Sequence, residues 1–175
     1  MSTNWSGILI CDEFKHIRNE KVIFEKYNIK NLLHIQGEDQ LLRALFIGGN
    51  INNAYIPNFY YLGLDNRSVI SITDTYSTIS GEPLTNTGYS RQSISSVSGF
   101  TVETSGTICK AKTNLMGFTA TTASWGPVKN LFLTNVPNSS VTPGVLYSTI
   151  QIGSDIVLGI GDTISMKFSM ALRNC

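Results

Sequence analysis

The stretch TISMKFSMALR, residues 163–173, indicates the fold class, because its apolar residues occupy every second position. Successive side chains of a β-strand point to opposite faces, so this alternation predicts a strand with one buried and one solvated face. The apolar face carries Ile164, Met166, Phe168, Met170 and Leu172. The opposite face carries Thr163, Ser165, Lys167, Ser169, Ala171 and Arg173.

Short segments of similar character recur through the second part of the chain. Further strands are predicted within residues 59–64, 90–106, 107–112, 115–120, 128–134 and 145–152. Turn-forming pairs such as Ser98-Gly99, Pro143-Gly144 and Gly161-Asp162 separate several of them. About seven or eight short strands at this spacing predict a mainly β fold, an antiparallel β-sandwich of the jelly-roll kind.

The composition changes sharply near Gly48-Gly49-Asn50. Residues 1–50 hold 12 of the 25 charged residues and only 3 Ser or Thr, whereas residues 51–175 hold 33 Ser or Thr. We therefore expect two parts. Residues 1–50 form an extended N-terminal arm followed by one short helix, and residues 51–175 form the β-sandwich domain.

The predicted helix lies in the segment EDQLLRALF, residues 38–46. Glu38 and Asp39 suit the first turn, where the helix dipole favours acidic side chains. Four apolar residues then share one face at helical spacing, namely Leu41, Leu42, Leu45 and Phe46. This face is expected to pack on the protein's own domain.

The predicted arm, residues 1–30, is too apolar for a solvated disordered tail. Two interpretations remain open. The arm folds back on its own domain as an edge strand, or it reaches out and adds a strand to a sheet edge of a neighbouring protein. In the second case Val22, Ile23 and Phe24 form the pairing segment, and Trp5 and Phe14 are the anchors.

The triplet Asp65-Asn66-Arg67 has two interpretations, a catalytic cluster or a turn that ends a strand. Asp and Asn are common in turns because their side chains bond to the nearby backbone, so we expect a turn, with Arg67 paired to Asp65 or Glu82 at the surface. The two histidines, His16 and His34, lie in the first part of the chain, and His34 is expected to be a packed or surface residue. We expect no enzyme activity.

No metal site or cofactor is predicted, because the chain lacks HExxH, CxxC, calcium-loop and phosphate-loop patterns. The formal net charge of +1 implies neither a nucleic-acid nor an anionic-membrane partner. Cys11, Cys109 and Cys175 form neither a disulfide framework nor a zinc pattern. They fit a protein made in a reducing cytoplasm, with Cys109 as a small core residue.

Four segments together resemble a family of accessory virion proteins of tailed bacteriophages. They are YYLGLDNRS, GEPLTNTGYSRQSIS, WGPVKNLFLTN and GDTISMKFSMAL, in this order. The preceding LLHIQGEDQLLRALF is similar to the segment that leads into the β-domain of those proteins. The resemblance spans residues 32–172 and implies a structural role in the virion without enzymatic activity.

The first hypothesis for this chain is a capsid decoration protein, made in the host cytoplasm, that binds the major capsid protein or another virion protein. A tail, neck or fibre-anchor component is the first alternative. A carbohydrate-binding module, with Trp125, Tyr60 and Tyr89 as exposed aromatic rings, is the alternative from another class, and a hydrolase acting on the host surface is the fourth hypothesis. For the three rings, a core or interface role is favoured over an exposed platform. The chain is expected to form a homotrimer, and the candidate interface residues are Trp5, Phe14, Val22, Ile23, Phe24, Tyr55 and Tyr60.

Overall fold

A computed structural model describes residues 5–44, 56–105, 108–138 and 143–174. Within these ranges the chain forms ten strands and one α-helix, α1 (Ile35–Leu42). The strands are β1 (Trp5–Arg18), β2 (Lys21–Leu33), β3 (Phe59–Asp65), β4 (Gln92–Ser95), β5 (Phe100–Ser105), β6 (Ile108–Thr113), β7 (Met116–Thr119), β8 (Trp125–Thr134), β9 (Leu146–Leu158) and β10 (Thr163–Asn174). No helix in these ranges is both long and apolar enough to cross a lipid bilayer.

The strands form one antiparallel sheet that nearly closes into a barrel. Their order is β4-β3-β8-β9-β2-β1-β10-β6-β5, and β7 also pairs with β10. The prediction of a mainly β, antiparallel fold with one helix is confirmed. The strands predicted from alternation within residues 59–64, 128–134 and 145–152 correspond to β3, β8 and β9.

One apolar core joins the two halves of the sheet. Strands β1, β7 and β10 contribute Phe14, Phe118 and Met166, while β3, β8 and β9 contribute side chains from the other half, including Leu62, Leu131 and Ile150. All six side chains are almost completely buried. Burying one such side chain stabilises the fold by about 1.5–3 kcal/mol.

The N-terminal segment predicted as an arm is a hairpin in the middle of the sheet, which corrects that prediction. β1 pairs with β10 on one side and with β2 on the other. The turn between β1 and β2 consists of Asn19 and Glu20, with φ values of 48° and 63° that suit a two-residue hairpin turn. The segment is thus not a projecting arm: β1 is an interior strand, and β2 is paired on both sides only near residues 31–33. The predicted boundary at residues 48–50 lies outside the described residues.

A β-bulge in β1 explains why its strand character was hidden. Cys11 pairs with Phe168 and Glu13 pairs with Lys167, which leaves Asp12 as an extra residue. A bulge reverses the phase of side-chain alternation, so Cys11 and Phe14 are both buried although three positions separate them. The period-two pattern breaks at this point of the sequence.

The face of β10 that was predicted to be solvated is partly buried. Ile164, Met166 and Phe168 are buried as predicted, but Ser169 and Ala171 on the opposite face are buried too. The Ser169 hydroxyl donates a hydrogen bond of 2.9 Å to Asp12 Oδ1. Met170 is only partly buried, and the Leu172 side chain lies outside the described part of the structure.

Helix α1 begins slightly earlier than predicted and packs against β9 through Gly37. A Cβ atom at Gly37 would collide with the backbone of Tyr147, so this close approach requires glycine. Leu42 is 55% exposed, so the predicted apolar face is not fully packed. Leu45 and Phe46 lie outside the described residues. Cys109, predicted as a core residue, is exposed on β6, which corrects that prediction.

Replacing Phe168 with alanine should lower the free energy of unfolding by about 3–5 kcal/mol, because the ring is buried and its removal leaves a cavity. Urea denaturation measures the change. Lys167→Ala is the matched control, since the neighbouring lysine side chain is 48% exposed and its loss should cost less than about 0.5 kcal/mol. Equal free energies of unfolding for Phe168→Ala and Lys167→Ala would show that β10 buries the face that carries Lys167.

Candidate functional site

The Asp65-Asn66-Arg67 triplet forms a buried ionic network where β3 ends. Asp65 is completely buried, and its Oδ2 lies 2.7 Å from Arg67 Nε. Arg67 Nη1 donates a second charged hydrogen bond, 3.1 Å long, to Asp74 Oδ2. Asn130 on β8 donates from Nδ2 to the Arg67 carbonyl at 2.6 Å. The network therefore ties the segment after β3 to the neighbouring strand.

The position of this network corrects the expectation of a surface pair. The Arg67 side chain is 13% exposed and Asp65 is inaccessible to a substrate. The alternative partner considered for Arg67, Glu82, instead pairs with Arg91 through Oε2 and Nη2. One arginine between two aspartates neutralises much of their charge, and this arrangement fixes the backbone after β3 rather than presenting a reactive carboxylate.

Asp162 organises a second ionic cluster, at the turn between β9 and β10. Its Oδ2 lies 3.0 Å from His16 Nε2 and 2.6 Å from Arg18 Nη2, and it accepts a hydrogen bond of 2.9 Å from the Gly159 amide. Hydrogen bonding by Arg18, aided by Gly159 and His16, holds the pKa of the Asp162 carboxyl well below its usual range despite burial. The cluster joins the end of β1 to the β9–β10 turn.

Sequence reasoning assigned Asp162 to a turn but did not find its partners. His16 and Arg18 lie on the same face of β1 two residues apart, which is the one local signal for a shared partner. Their separation from Asp162 by more than 140 residues hides the contact. None of the hydrogen bonds among the described residues joins His16 to a nucleophilic side chain. The arrangement is therefore an ion-pair cluster and lacks the third member of a catalytic triad.

A third pair, Glu82 and Arg91, lines an open cavity of about 550 Å³. The Arg91 side chain is 1% exposed, and its guanidinium lies 5.3 Å from the Tyr76 ring centre and 5.1 Å from that of Phe132. The Tyr89 hydroxyl donates to Glu82 Oε1 at 2.8 Å. Because both charges are bound to each other, the cavity presents no free acid and base.

The six acidic residues after residue 50 share one property: each lies within 4 Å of a basic side chain. They are Asp65, Asp74, Glu82, Glu103, Asp155 and Asp162. Glycoside hydrolysis needs two accessible carboxyl groups with different protonation states. The described ion pairs do not favour that chemistry. No group of three potential metal ligands occurs among the described residues.

The aromatic residues considered for glycan binding do not form an exposed platform. Trp125 and Tyr89 are 3% and 5% exposed and pack edge to face, with ring centres 5.5 Å apart. Trp125 Nε1 donates to the Thr87 carbonyl at 3.0 Å. Tyr60 is partly buried and contacts the rings of Phe100 and Tyr147. For Trp125 and Tyr89, the interpretation as core residues is confirmed.

His34 is a packed residue, as expected. It is completely buried, and its Nε2 lies 2.8 Å from Thr149 Oγ1. Burial lowers the pKa of His34, so the neutral imidazole is favoured at this position.

The outer edge of β2, residues 21–30, is the exposed surface that best matches the predicted interface. β2 pairs with β9 only at residues 31–33, and the described residues place no strand along the outer edge of residues 21–30. Val22, Ile23 and Tyr27 are 47%, 50% and 51% exposed. An unpaired strand edge offers backbone N–H and C=O groups to another strand.

The remaining candidate interface residues have different positions. Phe14 is completely buried in the protein's own core, which corrects its prediction as an anchor for a partner. Phe24 is partly buried and packs edge to face on Phe14, with ring centres 6.1 Å apart. Trp5 begins β1, but its side chain lies outside the described part of the structure. Tyr55 also lies outside it.

Comparison with known proteins finds no matching family model, no similar curated protein and no similar solved structure. The resemblance to phage accessory proteins therefore stays a prediction.

Replacing Asp65 with alanine should lower the free energy of unfolding by about 3–5 kcal/mol, because it leaves the Arg67 charge without its closest partner in a buried site. Chemical denaturation provides the measurement. Asp39→Ala is the control, since the Asp39–Arg43 pair is solvent-exposed and its loss should cost about 0.5 kcal/mol or less. A small change in the free energy of unfolding of Asp65→Ala would mean that solvent screens the Asp65–Arg67 pair.

Asp162 should also make stability depend on acid pH. Because the pKa of its carboxyl is lower in the folded protein than in the unfolded chain, the carboxylate contributes stability above about pH 4 and loses that contribution as the pH falls. The stability difference between wild type and Asp162→Asn should therefore shrink between about pH 7 and about pH 2.5. A difference that stays constant over this interval would contradict the assignment. Asp155→Asn, at a 64% exposed side chain, should change stability little at neutral pH.

Proposed function

We propose that the protein is a structural component of a tailed-bacteriophage virion, specifically a decoration protein that binds the capsid lattice as an oligomer. The observation that carries the proposal is the unpaired outer edge of β2, with Val22, Ile23 and Tyr27 about half exposed. A long strand edge with apolar side chains is a ready template for pairing with another chain. The resemblance of residues 32–172 to virion accessory proteins supplies the biological setting.

The ionic clusters support a role in binding by shape rather than in catalysis. Asp65, Glu82 and Asp162 each bind an arginine and are largely or completely buried. Such pairs position strand ends and turns without leaving a reactive group exposed. We therefore infer a non-enzymatic protein whose folded body presents a binding surface.

The same proposal includes the layer arrangement of the sheet and the oligomeric state of the protein. The single core receives side chains from both halves of the sheet, which supports two facing layers of the jelly-roll kind. A homotrimer at threefold positions of the lattice is the proposed assembly, because decoration of a symmetric shell places copies around its symmetry axes.

Counting the copies per purified particle tests this function. A decoration protein should be present in hundreds of copies per particle, because the capsid symmetry repeats its binding site. A tail or neck component should be present in about three, six or twelve copies. Quantitative mass spectrometry against the major capsid protein gives the ratio. Absence from purified particles would overturn the virion assignment, and a low count would move the protein to the tail or neck.

A substitution can then relate incorporation to the outer edge of β2. Ile23→Asp places a charge at a half-exposed position of this edge and should reduce occupancy by about tenfold or more. Val97→Asp is the matched control, since Val97 is 92% exposed in a turn away from β2 and should not affect occupancy. Equal occupancy of the two variants would place the attachment surface elsewhere.

A further inference from the structure

The hairpin of β5 and β6 lies at one end of the sheet, and its outer strand has a free edge. Among the described strands, β5 pairs with β6 alone. Every residue from Thr101 to Thr104 is exposed, including Val102 at 73%. Because side chains on both faces of β5 are exposed, no described element covers this part of the strand. Its outer backbone N–H and C=O groups are therefore accessible to another strand.

The backbone of β5 is regular. Its register with β6 runs without a bulge from Phe100 opposite Thr113 to Ser105 opposite Ile108. No residue of β5 has a positive φ value. The strand sequence FTVETS also lacks proline and lysine, which commonly protect a free strand edge. This edge therefore offers an uninterrupted row of donors and acceptors.

An apolar row crosses this side of the sheet and ends at Val102. In the backbone register, Met170 on β10 lies opposite Ala111 on β6, which in turn lies opposite Val102. Directly opposed side chains of antiparallel strands share one face of the sheet. Met170 packs against the core, Ala111 is half-buried and Val102 is exposed. The row is thus least covered at its outer end, where another apolar side chain would extend it.

The sequence of β5 favours one register for antiparallel pairing with a second copy. A two-fold axis perpendicular to the sheet passes through a residue position, because only then do both copies present the same face to the same side. With Val102 on the axis, Thr101 faces Glu103 and Phe100 faces Thr104 of the second copy. With Glu103 on the axis, two glutamates face each other, which destabilises the pair. An axis nearer either end of the strand pairs fewer residues.

The charges on the polar face of the hairpin are compatible with the register centred on Val102. Lys112 Nζ donates to Glu103 Oε2, which leaves the second carboxylate oxygen for another donor. The Thr101 hydroxyl of the second copy lies opposite Glu103 in this register and supplies such a donor. Lys112 lies opposite Thr101 on β6, so each Glu103 also approaches the positive side of the other hairpin. By symmetry each contact occurs twice.

We propose that the free edge of β5 docks on the same edge of a second copy of this chain, antiparallel, with Val102 on the two-fold axis. Backbone hydrogen bonds join the two sheets, and the row of Met170, Ala111 and Val102 continues from one copy into the other. This edge is separate from the outer edge of β2, because β1, β10 and β6 lie between β2 and β5 in the sheet. Its role as a two-fold link between oligomers on a capsid rests on the proposed function, whereas the dimer in solution does not.

One substitution acts in opposite directions within a subunit and between copies. Thr101→Glu places a carboxylate opposite Lys112 of its own hairpin and opposite Glu103 of the second copy. The dimer dissociation constant should therefore rise by about tenfold or more, while the unfolding midpoint of the dilute monomer should not fall. Sedimentation equilibrium and thermal unfolding of the full chain give the two readouts. Ser154→Glu, at an exposed position of β9, is the control and should leave association unchanged.

A second substitution should restore the contact. Thr101→Glu/Glu103→Lys again places opposite charges across the axis and should return the dissociation constant to within about threefold of wild type. Within one hairpin, Glu103→Lys removes the pair with Lys112 and places a lysine opposite Lys110. An effect confined to one subunit would therefore be larger in the double variant, so recovery identifies a contact between copies.

A crosslink provides an independent test of the register. Cα atoms of opposed residues in an antiparallel pair are about 4.5–5.5 Å apart, within the range of a disulfide. In a Cys109→Ser/Cys175→Ser background, Val102→Cys should form a covalent dimer on mild oxidation. Thr104→Cys is the control on the same face of β5, since the two copies of this position lie four residues apart along the paired strands, about 13 Å.

Three outcomes would overturn the proposal. They are a wild-type protein that stays monomeric at high concentration, a Thr101→Glu variant that associates like wild type, and a Val102→Cys variant that crosslinks no better than Thr104→Cys. The particle count judges the virion assignment separately, so either idea can fail without the other.

Discussion

The pairing of β1 with β10 is the interaction on which the rest of the fold depends, because it joins the two ends of the chain in the middle of the sheet. The register runs from Trp5 opposite Asn174 to Ile17 opposite Thr163, with one bulge at Asp12. β2 then connects this pair to β9, and β6 and β7 continue the sheet on the other side of β10. The core between the two halves forms only when both ends of the chain are in place. Residues 5–33 are therefore part of the folding unit, and removing residues 1–30 would remove β1 and most of β2.

Buried ion pairs complete the fold where strands end. Asp65 fixes the backbone where β3 ends, through its pair with Arg67. Glu82 fixes the segment before β4 by binding Arg91. Asp162 fixes the turn before β10 by binding Arg18. Burying a carboxylate is costly unless a charged partner and further hydrogen bonds compensate, so each acid is placed beside an arginine. These pairs contribute little net stability compared with an apolar core, but they restrict where each turn can lie.

Alternation in the sequence predicts the strands that have one continuous buried face, and these are the strands found correctly. The first half of β10 belongs to this class, and its Ile164, Met166 and Phe168 enter the core. β1 was missed because the bulge at Asp12 reverses its alternation, and the exposed half of β2 has apolar residues on both faces. The helix was found because its acids and leucines follow the helical period. The partners of Asp65 and Asp162 were only partly predictable: Arg67 is a local neighbour, whereas His16 and Arg18 meet Asp162 only through the pairing of β1 with β10.

The charges on the outer edge of β2 explain how an exposed strand can avoid indiscriminate pairing. A strand edge is commonly protected by lysines, which repel other strand edges of the same kind and also repel a second copy. Here Lys21, Glu25 and Lys26 have mixed signs, so repulsion depends on register rather than applying to every approach. The pairing with β1 adds a second protection, because Val22 pairs with Ile17 and Phe24 pairs with His16, which leaves Ile23 as the extra residue of a bulge. A bulge interrupts the regular row of backbone donors and acceptors that another strand would need. The half-exposed side chains of Val22 and Ile23 therefore lie on an edge whose shape and charges restrict which strands can pair with it.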